Sequence, residues 1–98
     1  MEFLENTPLQ LEELRALLEV CPPLGTISQG EFEELARGFT WTCRERGGLA
    51  AFLAGAPRRD AFHVKRLAVH PNCRRRGLAR ELLRRAAWTA FDLSLIHI

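Results

Sequence analysis

At 98 residues the chain is long enough for one domain and no more, and its 47% hydrophobic content is enough for a packed core, which excludes a disordered chain. No run of eighteen or more apolar residues is present, and the opening Met1-Glu2-Phe3-Leu4-Glu5 is acidic, so neither a membrane span nor a signal peptide is expected. The net charge of +2 hides an asymmetry: residues 1–40 carry eight acidic and two basic side chains, residues 41–98 four acidic and twelve basic. The second half therefore suits a polyanionic partner, a phosphorylated cofactor or a nucleic acid. Cys21, Cys43 and Cys73 are odd in number and widely spaced. They form neither a disulfide framework nor a zinc site and fit buried or half-buried thiols in a reducing cytoplasm. No metal-ligand spacing is found, so no metal is expected.

Glu2-Phe3-Leu4 reads as a short first strand. Thr7-Pro8-Leu9-Gln10 reads as a helix start, with Thr7 as cap, Pro8 in the first turn and Gln10 closing a capping box. Leu11, Leu14, Leu17 and Leu18 follow at helical spacing, and Pro22-Pro23 stops the helix. Ser28-Gln29-Gly30-Glu31 is a second capping box; Phe32, Leu35 and Ala36 share a face behind it, and Gly38 is placed to end that helix. Three strand-like runs come next, at 39–44, 49–54 and 62–69. Gly47-Gly48 and the connection 56–60 mark hairpins, so the three are read as antiparallel neighbours. The last helix starts near Gly77, with Leu78, Leu82, Leu83 and Ala86 at helical spacing. Two helices, three strands and a helix give an α+β layer structure. Trp41 and Trp88 are read as packing residues and the 11–18 leucines as core.

The chemistry is concentrated in Phe62-His63-Val64-Lys65-Arg66-Leu67-Ala68-Val69-His70-Pro71-Asn72-Cys73-Arg74-Arg75-Arg76-Gly77-Leu78-Ala79: a strand, a basic loop with one glycine, and an amphipathic helix. The first amides of a helix lack intrahelical acceptors and carry the positive end of its dipole, which suits a phosphate. Gly77 allows close approach to the backbone, Ala79 keeps the next turn small, and Arg74, Arg75 and Arg76 add charge. The Gly-Lys-Ser/Thr ending of a P-loop is absent, and one glycine stands where a dinucleotide fingerprint needs three.

What this segment resembles is motif A of the GNAT superfamily of N-acetyltransferases, whose loop pattern Arg/Gln-x-x-Gly-x-Gly/Ala is met by Arg74, Gly77 and Ala79 and whose strand end Leu-x-Val-x-Pro is met by Leu67, Val69 and Pro71. The element order matches over residues 1–92; specific residues match within 62–86. The resemblance implies the GNAT fold, a mixed, mostly antiparallel sheet with helices. It implies acetyl-CoA as co-substrate, its pantetheine arm along the backbone at Leu67, Ala68 and Val69. Its pyrophosphate would lie on the loop and helix start from Arg74 through Arg75, Arg76, Gly77 and Leu78 to Ala79. The reaction implied is attack of a neutral amine, on a small molecule or a protein, on the thioester. Relatives in the superfamily place a Glu or His base on the equivalent strand, a role that falls here to His63; in a regular strand it faces the same way as Lys65 and Leu67. Helix and strands that follow motif A in the family are missing, so the chain reads as C-terminally truncated, with domain residues 1–92. The ending Leu93-Ser94-Leu95-Ile96-His97-Ile98 resembles translated sequencing adaptor, a non-native tail over 93–98. The chain holds no tyrosine, the residue many relatives use to protonate the departing thiolate. Acceptor determinants are expected near residues 21–27 and in the missing strands. The competing readings are a basic nucleic-acid-binding module using residues 74–85, which lacks helix-turn-helix spacing and an aromatic platform and makes nucleic acid the less favoured partner, and a GNAT fold that binds acyl-CoA without catalysis.

Overall fold

The computed structural model describes residues 1–21, 26–59 and 61–93. Strand β1 (Glu2–Glu5) leads to helices α1 (Leu11–Glu19) and α2 (Gln29–Arg37), then to strands β2 (Phe39–Glu45), β3 (Gly48–Arg58) and β4 (Ala61–Val69), a 3-10 turn at Pro71–Cys73 and helix α3 (Leu78–Asp92). The strands form one antiparallel sheet in the order β1-β2-β3-β4. This is the α+β layering the sequence implies. The expected stop at Pro22-Pro23 lies outside the described residues, as do residues 94–98 of the suspected tail.

Helix α1 begins later than the sequence suggests. The Asn6 amide donates to the Thr40 carbonyl at 2.8 Å and Asn6 Oδ1 accepts from the Thr40 amide at 2.9 Å. The chain thus stays attached to β2 through Asn6, and Thr7 cannot cap. Gln10 takes the cap position, its amide donating to Glu13 Oε1 at 3.1 Å. Strand β3 runs beyond the expected residue 54 to Arg58, with only the turn around Arg59 before β4. Pro57 is tolerated there because the ladder with β2 ends at Phe39 and Gly55, so its missing N–H breaks no bond on that side.

Each face of the sheet carries its own apolar layer. Leu14, Leu17 and Leu18 of α1 and Leu35 of α2 pack on Phe52, Ala54 and Ala68. On the opposite face Leu78, Leu82, Ala86 and Ala90 of α3 pack on Trp41, Cys43, Ala51, Leu53 and Phe62. Strand β3 is buried on both sides, which is why it reads as an unbroken apolar run rather than an alternation. Two expectations on α3 are corrected. Leu83 is 43% exposed because the buried stripe continues through Ala90 instead, and Trp88 is 58% exposed, stacking edge-on with the exposed Phe91 rather than packing in the core. Trp41 is buried as expected.

The two layers are tied down at the ends of the helices. Arg44 on β2 donates from Nη1 and Nη2 to the two Glu13 carboxylate oxygens at 2.8 and 2.6 Å, a forked pair that fixes the start of α1. Gly38, between α2 and β2, has no room for a side chain: a Cβ there would lie 2.7 Å from the Gly55 carbonyl oxygen.

Candidate acyl-CoA site

Strand β4 is the outer strand of the sheet among the described residues. Its register with β3 pairs Ala51 with Val69 and Ala54 with Arg66, then jumps so that Gly55 faces Val64. Lys65 is the extra residue of a β-bulge. A bulge reverses side-chain parity, and the packing records it: Phe62 and Leu67, five residues apart, both lie against the α3-side cluster. His63 and Leu67 therefore point to opposite faces, which corrects the regular-strand expectation. The bulge also explains Gly55, where a Cβ would stand 2.5 Å from the His63 carbonyl oxygen and 2.5 Å from the Phe62 ring. The sequence reading, which ended β3 at residue 54, missed Gly55; a glycine inside an apolar strand run was the available signal.

Downstream of the bulge the ladder is regular. The His70 amide donates to the Ala50 carbonyl at 2.8 Å. Alternation of an antiparallel pair then turns the N–H and C=O groups of Ala68 and Arg66 toward β3 and those of Leu67 and Val69 to the open edge. Val69 O agrees with this direction: it accepts from the Cys21 thiol at 3.3 Å and from Arg74 Nε at 3.5 Å instead of from β3. Leu67 is left with an outward donor and an outward acceptor.

The strand ends in the 3-10 turn, where His70 Nδ1 accepts from the Asn72 amide at 3.1 Å. The loop then passes through two left-handed residues, Arg75 at φ 64° and Gly77 at φ 76°. Gly77 is the N-cap of α3 and supplies no side-chain hydrogen bond; the first intrahelical bond runs from the Glu81 amide to the Gly77 carbonyl at 3.0 Å. The amides ahead of Glu81 accordingly have no acceptor within the helix. Apart from its two chain neighbours, no residue comes within 4 Å of where a Gly77 Cβ would be, so the backbone is open to an incoming group. A recess of about 640 Å³ fronts this helix start, lined by Val69, Cys73, Arg74, Arg75, Gly77, Leu78, Ala79 and Arg80. It joins the open edge of β4 to the uncapped amides. All of the expected cofactor residues lie on this strand end, loop or first helical turn, although Ala68 turns its buried side chain to the α1 face. The three exposed loop arginines are not equivalent: Arg76 Nη1 is paired with Glu45 Oε2 at 2.8 Å, while Arg75 has no ion-pair partner among the described residues.

A family model for the acetyltransferase (GNAT) family matches residues 9–98. The chain belongs to the GNAT acetyltransferase family. Comparison with curated proteins gives no match. Among solved structures, the ribosomal-protein-S18-alanine N-acetyltransferase of Escherichia coli superposes with a TM-score of 0.76 at 19% identity, covering 96% of this chain and 63% of that one. An aminoglycoside 6'-N-acetyltransferase complexed with coenzyme A gives 0.77 at 18% identity, covering 94% and 56%. A GNAT-like decarboxylase in complex with isobutyryl-CoA gives 0.68 at 19% identity, covering 92% and 58%. The GNAT fold is thereby shared, and the chain spans less than two thirds of the length of each of these three proteins.

His63 lies apart from the recess at the helix start. It is exposed on β4 and lines a second hollow of about 330 Å³ with Glu31, Glu34, Leu35, Arg58, Lys65 and Arg66. Two ion pairs cross this hollow from α2 to β4, Glu31 to Arg66 at 3.2 Å and Glu34 to Lys65 at 3.5 Å. The Ser28 amide and hydroxyl, more than Arg66, hold the Glu31 carboxyl below the usual carboxylate range. The acceptor loop expected near 21–27 is described only at Cys21, Thr26 and Ile27. Among the described residues no helix is long and apolar enough to cross a membrane.

Proposed function

We propose that this chain is the acyl-CoA-binding part of an N-acetyltransferase that moves an acetyl group from acetyl-CoA to an amine, in a reducing cytoplasm. The observation that carries this reading is the junction of the uncapped helix start at Gly77 with the end of β4 at Val69, within one recess. Amides from Arg75 to Ala79 hold the pyrophosphate, with Arg74 and Arg75 adding charge around it. The outward groups of Leu67 and Val69 align the amide-bearing pantetheine arm beside Ala68, as an added strand would pair. The acceptor is a primary amine on a small molecule or a protein; both kinds are named among the structural neighbours, an aminoglycoside and the alanine of a ribosomal protein.

In the reaction the neutral amine nitrogen attacks the thioester carbonyl carbon. A C–N bond forms, the carbonyl oxygen takes the negative charge, and the C–S bond then breaks to release the thiolate. A backbone N–H on the open edge of β4 stabilises that oxyanion as the charge develops. His63 is the chain's own candidate to take the proton from the amine, directly or through water, as an imidazole base carried on β4. Its place on the α2 side of β4 fits an acceptor that enters from the face opposite α3.

The test is calorimetric titration of the 98-residue chain with CoA and acetyl-CoA, followed by turnover with primary amines in a version that carries the family's remaining strands. Micromolar binding of both is expected, and absence of any CoA binding to the folded chain overturns the proposal. For His63 the measurement is kcat/KM against pH in His63→Gln. Loss of the acidic limb with CoA affinity unchanged is expected; an unaltered profile removes His63 from the mechanism.

A further inference from the structure

We infer that Glu45 is a positioning residue for the anion-binding loop, acting through Arg76, whose guanidinium serves as a strut rather than as a phosphate ligand. The inference rests on the acyl-CoA reading and adds a residue that lies outside motif A, some thirty positions upstream of Arg76.

The β2–β3 hairpin turns through Arg46 at φ 54° and Gly47 at φ 77°, with Glu45 paired to Gly48. Two successive left-handed residues in a two-residue loop are the turn whose twist matches the flanking strands. Glu45 is thereby set on a stiff hairpin tip. Its Oε2 lies 2.8 Å from Arg76 Nη1, and the Glu45 side chain is only 26% exposed. The pair closes a hollow of about 440 Å³ floored by Leu49, Ala50 and Cys73. The Arg76 guanidinium in turn keeps the Glu45 carboxyl below its usual range, so the pair is ionised throughout the neutral region.

The loop needs such a tie. Arg76 sits between Arg75 and Gly77, both left-handed, and an L-residue in that region costs roughly 1–2 kcal/mol. Neighbouring contacts must therefore hold Arg75 where it is. Three contacts do so: Cys73 packs against the α3-side apolar cluster, Arg74 Nε reaches Val69 O, and Arg76 reaches Glu45. Arg75, between the last two, has no ion-pair partner among the described residues. The three adjacent arginines thus divide the work. Arg74 and Arg76 fasten the loop to β4 and β2; of the three only Arg76 has its charge paired with a carboxylate, and the charges of Arg74 and Arg75 remain for an anion.

The two roles open to Arg76 predict opposite signs. If it is a strut, Glu45→Gln and Arg76→Met each loosen the loop, and each weakens CoA and inorganic pyrophosphate binding about three- to fivefold, the range of a partly exposed ion pair. The double variant is then no worse than either single one. If Arg76 is instead a phosphate ligand held back by Glu45, Glu45→Gln tightens binding and Arg76→Met weakens it far more than Glu45→Gln does; that pattern overturns the inference. Amide exchange of residues 75–79 in the ligand-free chain is a readout independent of CoA. It should speed up about threefold or more in both variants, while amides of α1 and α2 are unchanged. If the wild-type chain binds neither CoA nor pyrophosphate, the acyl-CoA reading fails, and the exchange rates alone still decide whether Glu45 holds the loop: unchanged rates in Glu45→Gln would defeat it.

Discussion

Helices α2 and α3 begin in opposite ways. At α2, Ser28 Oγ accepts from the Glu31 amide at 3.1 Å and Glu31 Oε1 accepts from the Ser28 amide at 3.3 Å. The helix start is closed by its own side chains. At α3 the cap is Gly77, with no side chain to offer, and the preceding loop bends through two left-handed residues that face the exposed amides into a recess. Both starts obey the same requirement, that unpaired backbone donors find acceptors. One meets it internally and gains stability; the other leaves it to water or to a ligand. The contrast is between a start whose donors are spent on the helix itself and one whose donors stay available to a ligand.

The largest effect should come from blocking the open start. Gly77→Glu places a carboxylate where the phosphates would lie, and a like-charge juxtaposition of about 3 kcal/mol corresponds to roughly a hundredfold loss of CoA affinity. Titration calorimetry measures that loss, and chemical denaturation separates it from the strain of a side chain at a left-handed φ, about 1–2 kcal/mol. Undiminished affinity in this variant would break the comparison. Ser28→Ala is the counterpart: it should cost about 1 kcal/mol of stability in urea melts and leave CoA affinity within experimental error. A drop in affinity there would mean that the closed start also contributes to binding.

The smallest effect concerns acid. In the first turns of α3, Arg84 first and then Arg85 lower the Glu81 carboxyl from its ordinary 4.5 to about 2. A depressed carboxylate stabilises the fold above its unfolded pKa, and that contribution is lost as pH falls through the folded value. Thermal melts should therefore show Glu81 support diminishing between about pH 4.5 and pH 2. Glu81→Gln should flatten that part of the curve and leave the neutral region almost unchanged, since exposed pairs contribute little. An identical acid limb in the variant would show that the Arg84 and Arg85 contacts do not persist in solution.

Local chemistry made much of this fold legible. The Ser28 box, the strand at 39–45 and the glycine before α3 follow from side-chain preferences within a few residues, and all three are found near their expected places. Long-range contacts account for the departures. Thr7 is denied its cap by Asn6 bonding to Thr40, 34 positions away. The parity reversal at Lys65 needs Gly55 opposite it, and nothing within β4 announces it. Trp88 sits between Ala86 and Ala90, which set the buried stripe in the second half of α3, so an aromatic residue at nearly the right spacing was misread as core. In the candidate site, motif spacing located the loop residues but could not distinguish Arg76 from Arg75, because that difference is made by a carboxylate on another strand.

The bulge at Lys65 also acts as a ruler. Beyond it, only Leu67 and Val69 present backbone hydrogen-bonding groups to the open side, and Val69 O is already occupied by Cys21 and Arg74. The usable length is the separation of Leu67 and Val69, about 7 Å at a strand's rise per residue. A guest with one or two amides can be matched along that length, whereas a long extended chain meets a broken spacing at its far end. An edge so shortened suits a short amide-bearing guest better than a second copy of the same strand.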